Sequence, residues 1–463
     1  MFVGRNEELC LLENAVNKSG TATLVYGVRK VGKTTLIKEV MSRSKKKLLY
    51  FECEKTSLAE NLKSFTEEMV RQGIIDEGIS FSGFVQAFRY INSLPEEYII
   101  VVDEYPYLKS VDKSEFVDSL FQKLADNCLS NIHLILSGSH ISMMRELLTE
   151  ANPMFSRFGT VIQLEEMDYA EAAAFYPECP EYDKACNYAV FGGSPYVNAQ
   201  LDPSASLKEN IINTVLNPNS PVRFYLENML LSEFATKMNL EQILVAIGNG
   251  KKHYNEIESR VNKEKNGNLS RQLGILCSMN IIEKNCPINK ADDAKKATYC
   301  ISNNLIRFYY TYVYSGKSSL ALLGGEIYYS RYIENTIDEF ISRRFEGICR
   351  QYFARAVRAG KYDDVRNIGT LYYDDPVNRE NGEFDVALEY SDGYGVFEAK
   401  FYKNPVELDD IHREMGQMRK IPAVNIKKTG FMAINGFSEK APGMIYIDGK
   451  EIYSILNLKA AKQ

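Results

Sequence analysis

A chain of 463 residues is too long for a single hydrophobic core, and its length alone predicts about three domains. A hydrophobic fraction of 45% beside 25% charged residues is typical of a globular protein, and no apolar run reaches membrane-spanning length. The start, MFVGRNEELC, lacks the features of a signal peptide, and the nine cysteines are scattered without a CxxC pair. With only four histidines, this composition argues against a disulfide framework, a zinc site or a membrane protein, and it predicts a cytoplasmic location. The net charge of −6 means that a nucleic-acid partner must be met by local basic patches.

The first element predicted in chain order is an apolar strand, TATLVYG, followed by the loop GVRKVGKTT and a helix. Gly27, Gly32, Lys33 and Thr34 match the pattern G-x-x-x-x-G-K-[ST] in the strand-to-helix context that this pattern requires. Backbone N–H groups of such a loop wrap phosphates, Lys33 reaches the β- and γ-phosphates, and Thr34 holds Mg²⁺, with Thr35 beside it. A chance match in a glycine-containing turn is the alternative, and the strand-to-helix context disfavours it.

A second apolar run, EEYIIVVDEYPYL, predicts a buried strand that ends in Asp103 and Glu104. An aspartate at the tip of a core strand beside the P-loop holds Mg²⁺ through water. Glu104 then orients and polarises the attacking water. A structural acidic pair at the strand end is the alternative.

Two later positions complete the predicted ATPase site. The strand NIHLILSGSH ends in Ser137, Gly138 and Ser139, whose polar groups are placed to sense the γ-phosphate. The segment NPMFSRFG carries Arg157, which we interpret either as an arginine finger or as an ordinary surface arginine.

The ordered segments FVGRNEEL, GVRKVGKTTL, VVDEYPYL, LILSGS, FSRFG and GGSPYV resemble the archaeal-type ATPase family, a branch of the AAA+-like and STAND P-loop ATPases. The similarity extends over most of the chain. The resemblance implies ATP and Mg²⁺ as cofactors, and it implies that residues 2–9 pack near the adenine.

The middle of the chain is predicted to be helical. Residues 168–215 form helices that could cover the ATPase as a lid, and helices at about 240–248, 253–261 and 268–279 precede two short strands. That order indicates a winged helix, as the family resemblance also implies. Residues 251–271 carry a net charge of +3, from the basic residues Lys251, Lys252, Arg260, Lys263, Lys265 and Arg271 against Glu256, Glu258 and Glu264. This module is interpreted either as a DNA contact or as a packing or protein-contact module.

The segment GEFDVALEYSDGYGVFEAKF alternates apolar and polar residues in both halves, which predicts a half-buried hairpin. Asp392-Gly393 predicts a two-residue type I′ turn. That turn pairs Asp385 with Lys400 and makes Asp385 and Glu398 diagonal neighbours on the polar face. Two carboxylates so placed can share one hard cation.

The spacing of Asp385, Glu398 and Lys400 resembles the PD-(D/E)xK restriction-endonuclease-like superfamily, and such a domain commonly ends this ATPase family. Phe384 stands where a proline is usual. A helix at roughly 327–357 supplies the further acid, Glu346. The resemblance implies a metal-dependent nuclease fold, in which Asp385 and Glu398 bind the metal and Lys400 positions water or stabilises charge. A solvated amphipathic ribbon is the alternative.

The sequence therefore predicts an α/β multidomain protein: a P-loop ATPase core with a parallel sheet (1–165), a helical lid (166–225), a winged helix (226–318) and an α/β nuclease-like domain (319–463). The predicted function is an ATPase coupled to a nuclease that acts on DNA, in defence or repair. The alternative is a non-cleaving, ATP-dependent binding or regulatory module. The expected partner is DNA; a protein partner and oligomerisation stay open.

Overall fold

Two units make up the chain in the computed structural model, Met1–Met167 and Asp168–Gln463. The structure describes residues 2–111, 114–234, 240–261, 268–375, 380–418 and 424–454. All nine cysteines are free thiols, as the sequence predicts. Within the described ranges, no helix is both long enough and apolar enough to cross a bilayer.

The first unit is built on a five-stranded parallel sheet in the order β2-β3-β4-β1-β5. Its strands are β1 (Thr21–Tyr26), β2 (Lys47–Glu52), β3 (Tyr98–Asp103), β4 (Ile132–Gly138) and β5 (Phe158–Gln163). Its helices are α1 (Asn6–Val16), α2 (Lys33–Arg43), α3 (Leu58–Arg71), α4 (Phe84–Asn92), α5 (Pro106–Val111), α6 (Ser114–Asn127) and α7 (Ile141–Glu146).

Strand β3 shows why this sheet is covered on both faces. All six of its residues are buried. Because successive strand side chains point to opposite faces, Ile100 and Val102 join a core that contains Phe65 and Phe88. Ile99 and Val101 join the opposite core. The carboxyl ends of the parallel strands then share one edge, where ligands bind in open α/β sheets.

The second unit combines many helices with a mixed sheet. Its helices are α8 (Tyr169–Ala173), α9 (Glu181–Phe191), α10 (Pro195–Asn198), α11 (Leu207–Ile211), α12 (Pro221–Phe234), α13 (Leu240–Gly248), α14 (Tyr254–Val261), α15 (Asn268–Ser278), α16 (Asn304–Phe308), α17 (Lys317–Tyr332), α18 (Ile337–Arg358), α19 (Leu408–Met418) and α20 (Gly449–Ser454). Its strands are β6 (Ile282–Asn285), β7 (Thr298–Ile301), β8 (Asn367–Asp375), β9 (Glu380–Tyr390), β10 (Gly393–Lys400), β11 (Ile426–Ala433) and β12 (Ile445–Asp448).

Strands β6 and β7 pair with each other, and the remaining five form a sheet in the order β12-β11-β10-β9-β8. The pairs β8–β9 and β9–β10 are antiparallel, and β10–β11 and β11–β12 are parallel. Helix α18 packs on this sheet. The three helices predicted between 240 and 279 are present with nearly the predicted bounds, and we call α13, α14, α15, β6 and β7 the three-helix module.

Two predicted helical features differ in detail. The single helix expected at roughly 327–357 is instead two helices, because the helix is interrupted between Tyr332 and Ile337. Thr336 leaves helical geometry there, and its hydroxyl donates to the Ile333 carbonyl. The helices expected to form a lid pack, through α9, against α16 and α18 of the second unit.

Candidate functional sites

The loop between β1 and α2 has the backbone of a phosphate-binding turn. Gly32 caps α2 with a φ of 100°, which L side chains rarely adopt. A Cβ on Gly27 would lie 2.2 Å from the Leu164 carbonyl oxygen, so only glycine fits there. Lys33 is the first residue of α2, so the N-terminus of this helix faces the loop.

The Lys33 ammonium is buried inside this loop. Its Nζ donates to the carbonyls of Gly27 at 2.9 Å and Val28 at 3.1 Å, and to Ser139 Oγ at 2.9 Å. Burial lowers the pKa of Lys33, although the charges of Glu104 and Asp103 oppose that shift. A desolvated ammonium held against carbonyl dipoles gains from a phosphate anion, so the loop fits ATP.

Asp103 and Glu104 lie at the carboxyl end of β3, and β4 separates this strand from β1 in the sheet. Asp103 nevertheless lies beside the P-loop, as predicted, since Thr34 Oγ1 donates to Asp103 Oδ2 at 3.0 Å. The Tyr50 hydroxyl of β2 donates to the same oxygen. A hydroxyl and a carboxylate joined in this way are a donor set that suits Mg²⁺ and its bound water.

Glu104 has a left-handed backbone, with a φ of 52°. Its carboxylate accepts hydrogen bonds from the backbone N–H of Ser139, at 3.2 Å, and from the Ser139 hydroxyl. Ser139 therefore joins Lys33 to Glu104. The structure brings together Lys33, Thr34, Asp103, Glu104 and Ser139, all of which the sequence indicated.

Three other predicted residues of this unit make none of the hydrogen bonds that link this cluster. Thr35 is exposed on α2. Ser137 Oγ is buried and has no hydrogen-bond partner among the described residues. Arg157 Nε lies 3.3 Å from Asp126 Oδ1 of the same unit, and its finger role stays a prediction. Tyr50 was missed, because no motif marks a tyrosine in the second strand.

The predicted hairpin forms, but its turn is displaced by one residue. Gly393 pairs with Tyr390, so the turn residues are Ser391 and Asp392, and neither has a positive φ. The predicted type I′ turn at Asp392-Gly393 is therefore wrong. Gly393 starts β10 with a φ of 153°, and a Cβ on it would lie 2.5 Å from the Asn425 carbonyl oxygen. A glycine is needed at this position because the backbone that leads into the neighbouring strand β11 lies too close for a side chain.

The displaced turn shifts the register by two residues, which keeps each side chain on its predicted face. Continuing the ladder from the Phe397–Val386 pair places Glu398 directly opposite Asp385, and not diagonal to it. The predicted pairing of Asp385 with Lys400 is wrong. Asp385 lies close enough for its charge to act on Glu398, and Asp385 Oδ2 accepts a hydrogen bond from the Ala399 N–H at 3.1 Å.

Three acids meet at this point in the second unit. Burial, followed by the charge of Asp385, raises the pKa of Glu398 to about 8 and that of Glu346 to about 7. Burial also raises the pKa of Asp385. Neighbouring carboxyl groups that are largely buried oppose one another's ionisation, and with a pKa of about 8 Glu398 retains its proton at neutral pH.

Two basic contacts orient this acidic site. Lys400 Nζ lies 2.8 Å from Glu414 Oε1 and 3.6 Å from Glu398 Oε2. Arg350 NH1, one turn beyond Glu346 on α18, donates to the Asp385 carbonyl at 2.6 Å. Sequence reasoning missed Glu414 and Arg350. The buried Ile411 and Met415 flank Glu414 at helical spacing on α19, a pattern that could have indicated an inward face.

The acidic site fits a divalent cation that is held by two carboxylates. Across the residues described, no group of three or more His, Cys, Asp or Glu side chains has the arrangement of a metal cage. Mg²⁺ instead binds proteins through one or two carboxylates and completes its shell with water and phosphate oxygens. The adjacent Asp385 and Glu398 fit that mode.

Comparison with known proteins gives partial matches. Residues 2–201 match a family described as an ATPase domain predominantly from Archaea, and residues 309–413 match a family of archaeal and bacterial proteins of unknown function. An uncharacterized protein of Methanocaldococcus jannaschii is 26% identical over 366 residues, which span 78% of this chain and 79% of the relative.

Among solved structures, the Walker-type ATPase of Pyrococcus abyssi aligns over 67% of this chain and 96% of its own, with 19% identity and a TM-score of 0.51. The ORC2 protein of Aeropyrum pernix aligns over 66% of this chain and 92% of its own, with 12% identity and a TM-score of 0.43. At 19% identity, the first of these likenesses concerns the fold alone.

Proposed function

We propose that this protein, whose residues 2–201 match an ATPase domain found predominantly in Archaea, is an ATPase coupled to a metal-dependent nuclease that acts on DNA. In this proposal residues 166–225 act as a lid, 226–318 are a winged helix, and 319–463 are the PD-(D/E)xK-like nuclease domain. Defence or DNA repair is the setting that such an activity fits.

One observation carries the nuclease proposal. Asp385, Glu398 and Lys400 lie on neighbouring strands, on the face where Glu346 approaches from α18, and the strand register places Asp385 opposite Glu398. If the polar face of the hairpin were only solvent-exposed, its carboxyl groups would keep ordinary pKa values. Three acids with raised pKa values beside one lysine are therefore unexpected for that alternative. Perturbed acids of this kind cluster at functional sites.

Each residue of the acidic site has a proposed role. Asp385 and Glu398 would hold Mg²⁺, and the bound metal would supply a polarised water and neutralise charge on the phosphate. Glu346, with a pKa of about 7, accepts the proton of the attacking water. Lys400, oriented by Glu414, stabilises the negative charge that develops on the phosphate oxygens.

The ATPase site works with the residues that the first unit assembles. Lys33 and the loop N–H groups bind the β- and γ-phosphates, and Thr34 and Asp103 hold Mg²⁺. Glu104 orients the water that attacks the γ-phosphate. Ser139 contacts both Lys33 and Glu104, so it is placed to respond to the γ-phosphate.

A second function is favoured by the ion pair between Lys400 and Glu414. An ammonium 2.8 Å from its own carboxylate is partly neutralised before any phosphate arrives. On this basis the alternative is a non-cleaving, ATP-dependent DNA-binding or regulatory module that keeps a nuclease fold.

One experiment separates the two functions. The full chain is incubated with plasmid and with single-stranded DNA, with Mg²⁺ or Mn²⁺, in the presence and absence of ATP. The nuclease proposal expects cleavage that needs metal and is lost in Glu398→Gln. Binding without cleavage under every condition supports the regulatory module.

A further inference from the structure

Tyr50 lies on β2, the edge strand of the sheet in the first unit, and pairs with Val101 of β3. Paired side chains of neighbouring strands share one face of the sheet, and Asp103 lies two residues beyond Val101 on that same face. The Tyr50 ring packs against the core that contains Val101 and Ile37, and the Lys38 ammonium lies 5.3 Å from the ring centre. The ring is therefore held between the sheet and α2, and its hydroxyl reaches the end of β3.

The Asp103 carboxylate receives hydrogen bonds from three elements. Its Oδ2 accepts from Thr34 Oγ1 at 3.0 Å and from the Tyr50 hydroxyl. Its Oδ1 accepts from the Glu104 N–H at 3.0 Å. A phenol is protonated at neutral pH, so Tyr50 is the donor in a charge-assisted hydrogen bond to the carboxylate. Asp103 is only 3% exposed, so solvent does not readily replace a donor that is lost.

These hydrogen bonds use most of the acceptor positions of Asp103. An ionised carboxylate has about four such positions. Within the described ranges, Thr34, Tyr50 and the Glu104 N–H fill three of them, and the position that is left belongs to Oδ1. Without the Tyr50 hydroxyl, Oδ2 would also have an open position and the carboxylate would be free to rotate. A water molecule bound to Mg²⁺ is a donor that suits the open position on Oδ1.

We propose that Tyr50 is a positioning residue of the ATPase site, whose hydroxyl fixes the Asp103 carboxylate so that Oδ1 accepts a water molecule of the divalent cation that accompanies the nucleotide. Tyr50 acts through Asp103 and is not itself a metal ligand. Loss of a group that orients a metal-binding side chain weakens metal affinity about 10- to 100-fold. This role rests on the proposed ATPase function and adds a residue that no sequence motif marks.

The test uses Tyr50→Phe in the full chain, because this change removes the hydroxyl and keeps the packed ring. The affinity for a fluorescent ADP analogue in EDTA is expected to equal that of the wild type, since Lys33 and the loop N–H groups bind phosphate without metal. The affinity for Mn²⁺ at saturating ADP, measured by electron paramagnetic resonance, is expected to fall about 10-fold. The Mg²⁺ concentration that gives half-maximal ATP hydrolysis is expected to rise by about the same factor.

Tyr98→Phe is the matched control. Tyr98 is a buried tyrosine of the same sheet, at the opposite end of β3 from Asp103. Its change is expected to leave all three measurements as in the wild type.

A double variant shows whether Tyr50 acts through Asp103. Asp103→Asn alone is expected to weaken Mn²⁺ affinity at saturating ADP more strongly than Tyr50→Phe does. Because the two side chains are in contact, their effects are coupled, and adding Tyr50→Phe to Asp103→Asn is expected to cause little further loss.

The outcomes separate this role from the ATPase proposal. If Asp103→Asn loses Mn²⁺ affinity and Tyr50→Phe does not, the role of Tyr50 is overturned and the ATPase site stands. Three further results also overturn the role: an equal loss in Tyr98→Phe, a full additional loss in the double variant, or weaker ADP binding by Tyr50→Phe in EDTA. A wild-type protein that binds neither nucleotide nor Mn²⁺ overturns the ATPase site and the role together.

Discussion

At the scale of single residues, Glu398 defines the pH response of the acidic site. Its pKa of about 8 means that it carries a proton at neutral pH without metal. A divalent cation must displace that proton, so the affinity of the acidic site for the cation rises with pH until the pH exceeds the pKa of Glu398. We expect Mn²⁺ affinity to increase up to about 10-fold per pH unit between pH 6.5 and 8, measured by calorimetry in buffers of different ionisation heat.

The control for this pH response is Glu398→Gln, which removes the titrating group and a ligand together. It is expected to lose most of the Mn²⁺ affinity and the pH dependence of what remains. An affinity in the unchanged protein that stays constant from pH 6.5 to 8 would contradict the assignment of Glu398.

Lys33 and Glu104 separate nucleotide binding from hydrolysis. Lys33→Ala removes the buried ammonium that the loop holds, so we expect ATPase activity to fall at least about 100-fold and nucleotide affinity to drop. Glu104→Gln keeps the side-chain shape and is expected to bind ATP while blocking turnover. Fluorescent nucleotide binding and phosphate release measure the two effects. Normal turnover by the Lys33 variant would remove this loop from the ATPase site.

Lys400 and Glu414 test the alternative functions of the acidic site. In an active nuclease, Lys400→Ala loses cleavage but keeps metal binding, because the lysine is not a metal ligand. Glu414→Gln leaves Lys400 charged but poorly oriented, so we expect a smaller loss of about 10-fold or less. Cleavage of labelled DNA and Mn²⁺ binding are measured on the same samples. A Lys400 variant with full cleavage would contradict its proposed role.

At the scale of elements, Gly393 fixes the register of the hairpin. Gly393→Ala combines a φ of 153° with a Cβ 2.5 Å from a backbone oxygen, so we expect about 1–3 kcal/mol of destabilisation. Hydrogen exchange should show the loss in β9, β10 and β11. Gly274→Ala, where a Cβ on α15 meets nothing within 4 Å, is the control and should be neutral or stabilising. Equal effects of the two changes would show that the close approach at Gly393 is unimportant.

At the scale of the whole molecule, the two sites belong to different units. Asp385→Ala should therefore abolish metal-dependent cleavage while leaving ATP hydrolysis largely intact. Lys33→Ala should abolish ATP hydrolysis, and its effect on cleavage reports whether ATP gates the nuclease. Both activities are measured on each variant. Loss of ATP hydrolysis in a well-folded Asp385 variant would contradict independent chemistry in the two units.

The sequence by itself determined the local features of both sites. Three local features could be predicted from the sequence: the P-loop spacing, the strand that ends in Asp103, and the faces of the hairpin. Each depends on periodicity or on motif residues a few positions apart. The predicted faces of the hairpin are correct although the predicted turn is wrong. A register shift of two residues leaves Asp385, Glu398 and Lys400 on one face.

Only the tertiary structure decided which side chains meet across elements. The turn predicted at Asp392-Gly393 was wrong because Gly393 is needed where the Asn425 backbone comes close to it. That contact joins residues far apart in sequence, so no local pattern could have predicted it. Tyr50, Glu414 and Arg350 reach the sites from a neighbouring strand and from two helices, far from the motif residues in sequence. The raised pKa values of Glu346 and Glu398 likewise arise from burial and from the charge of Asp385, and these exist only once the strands and α18 have packed together.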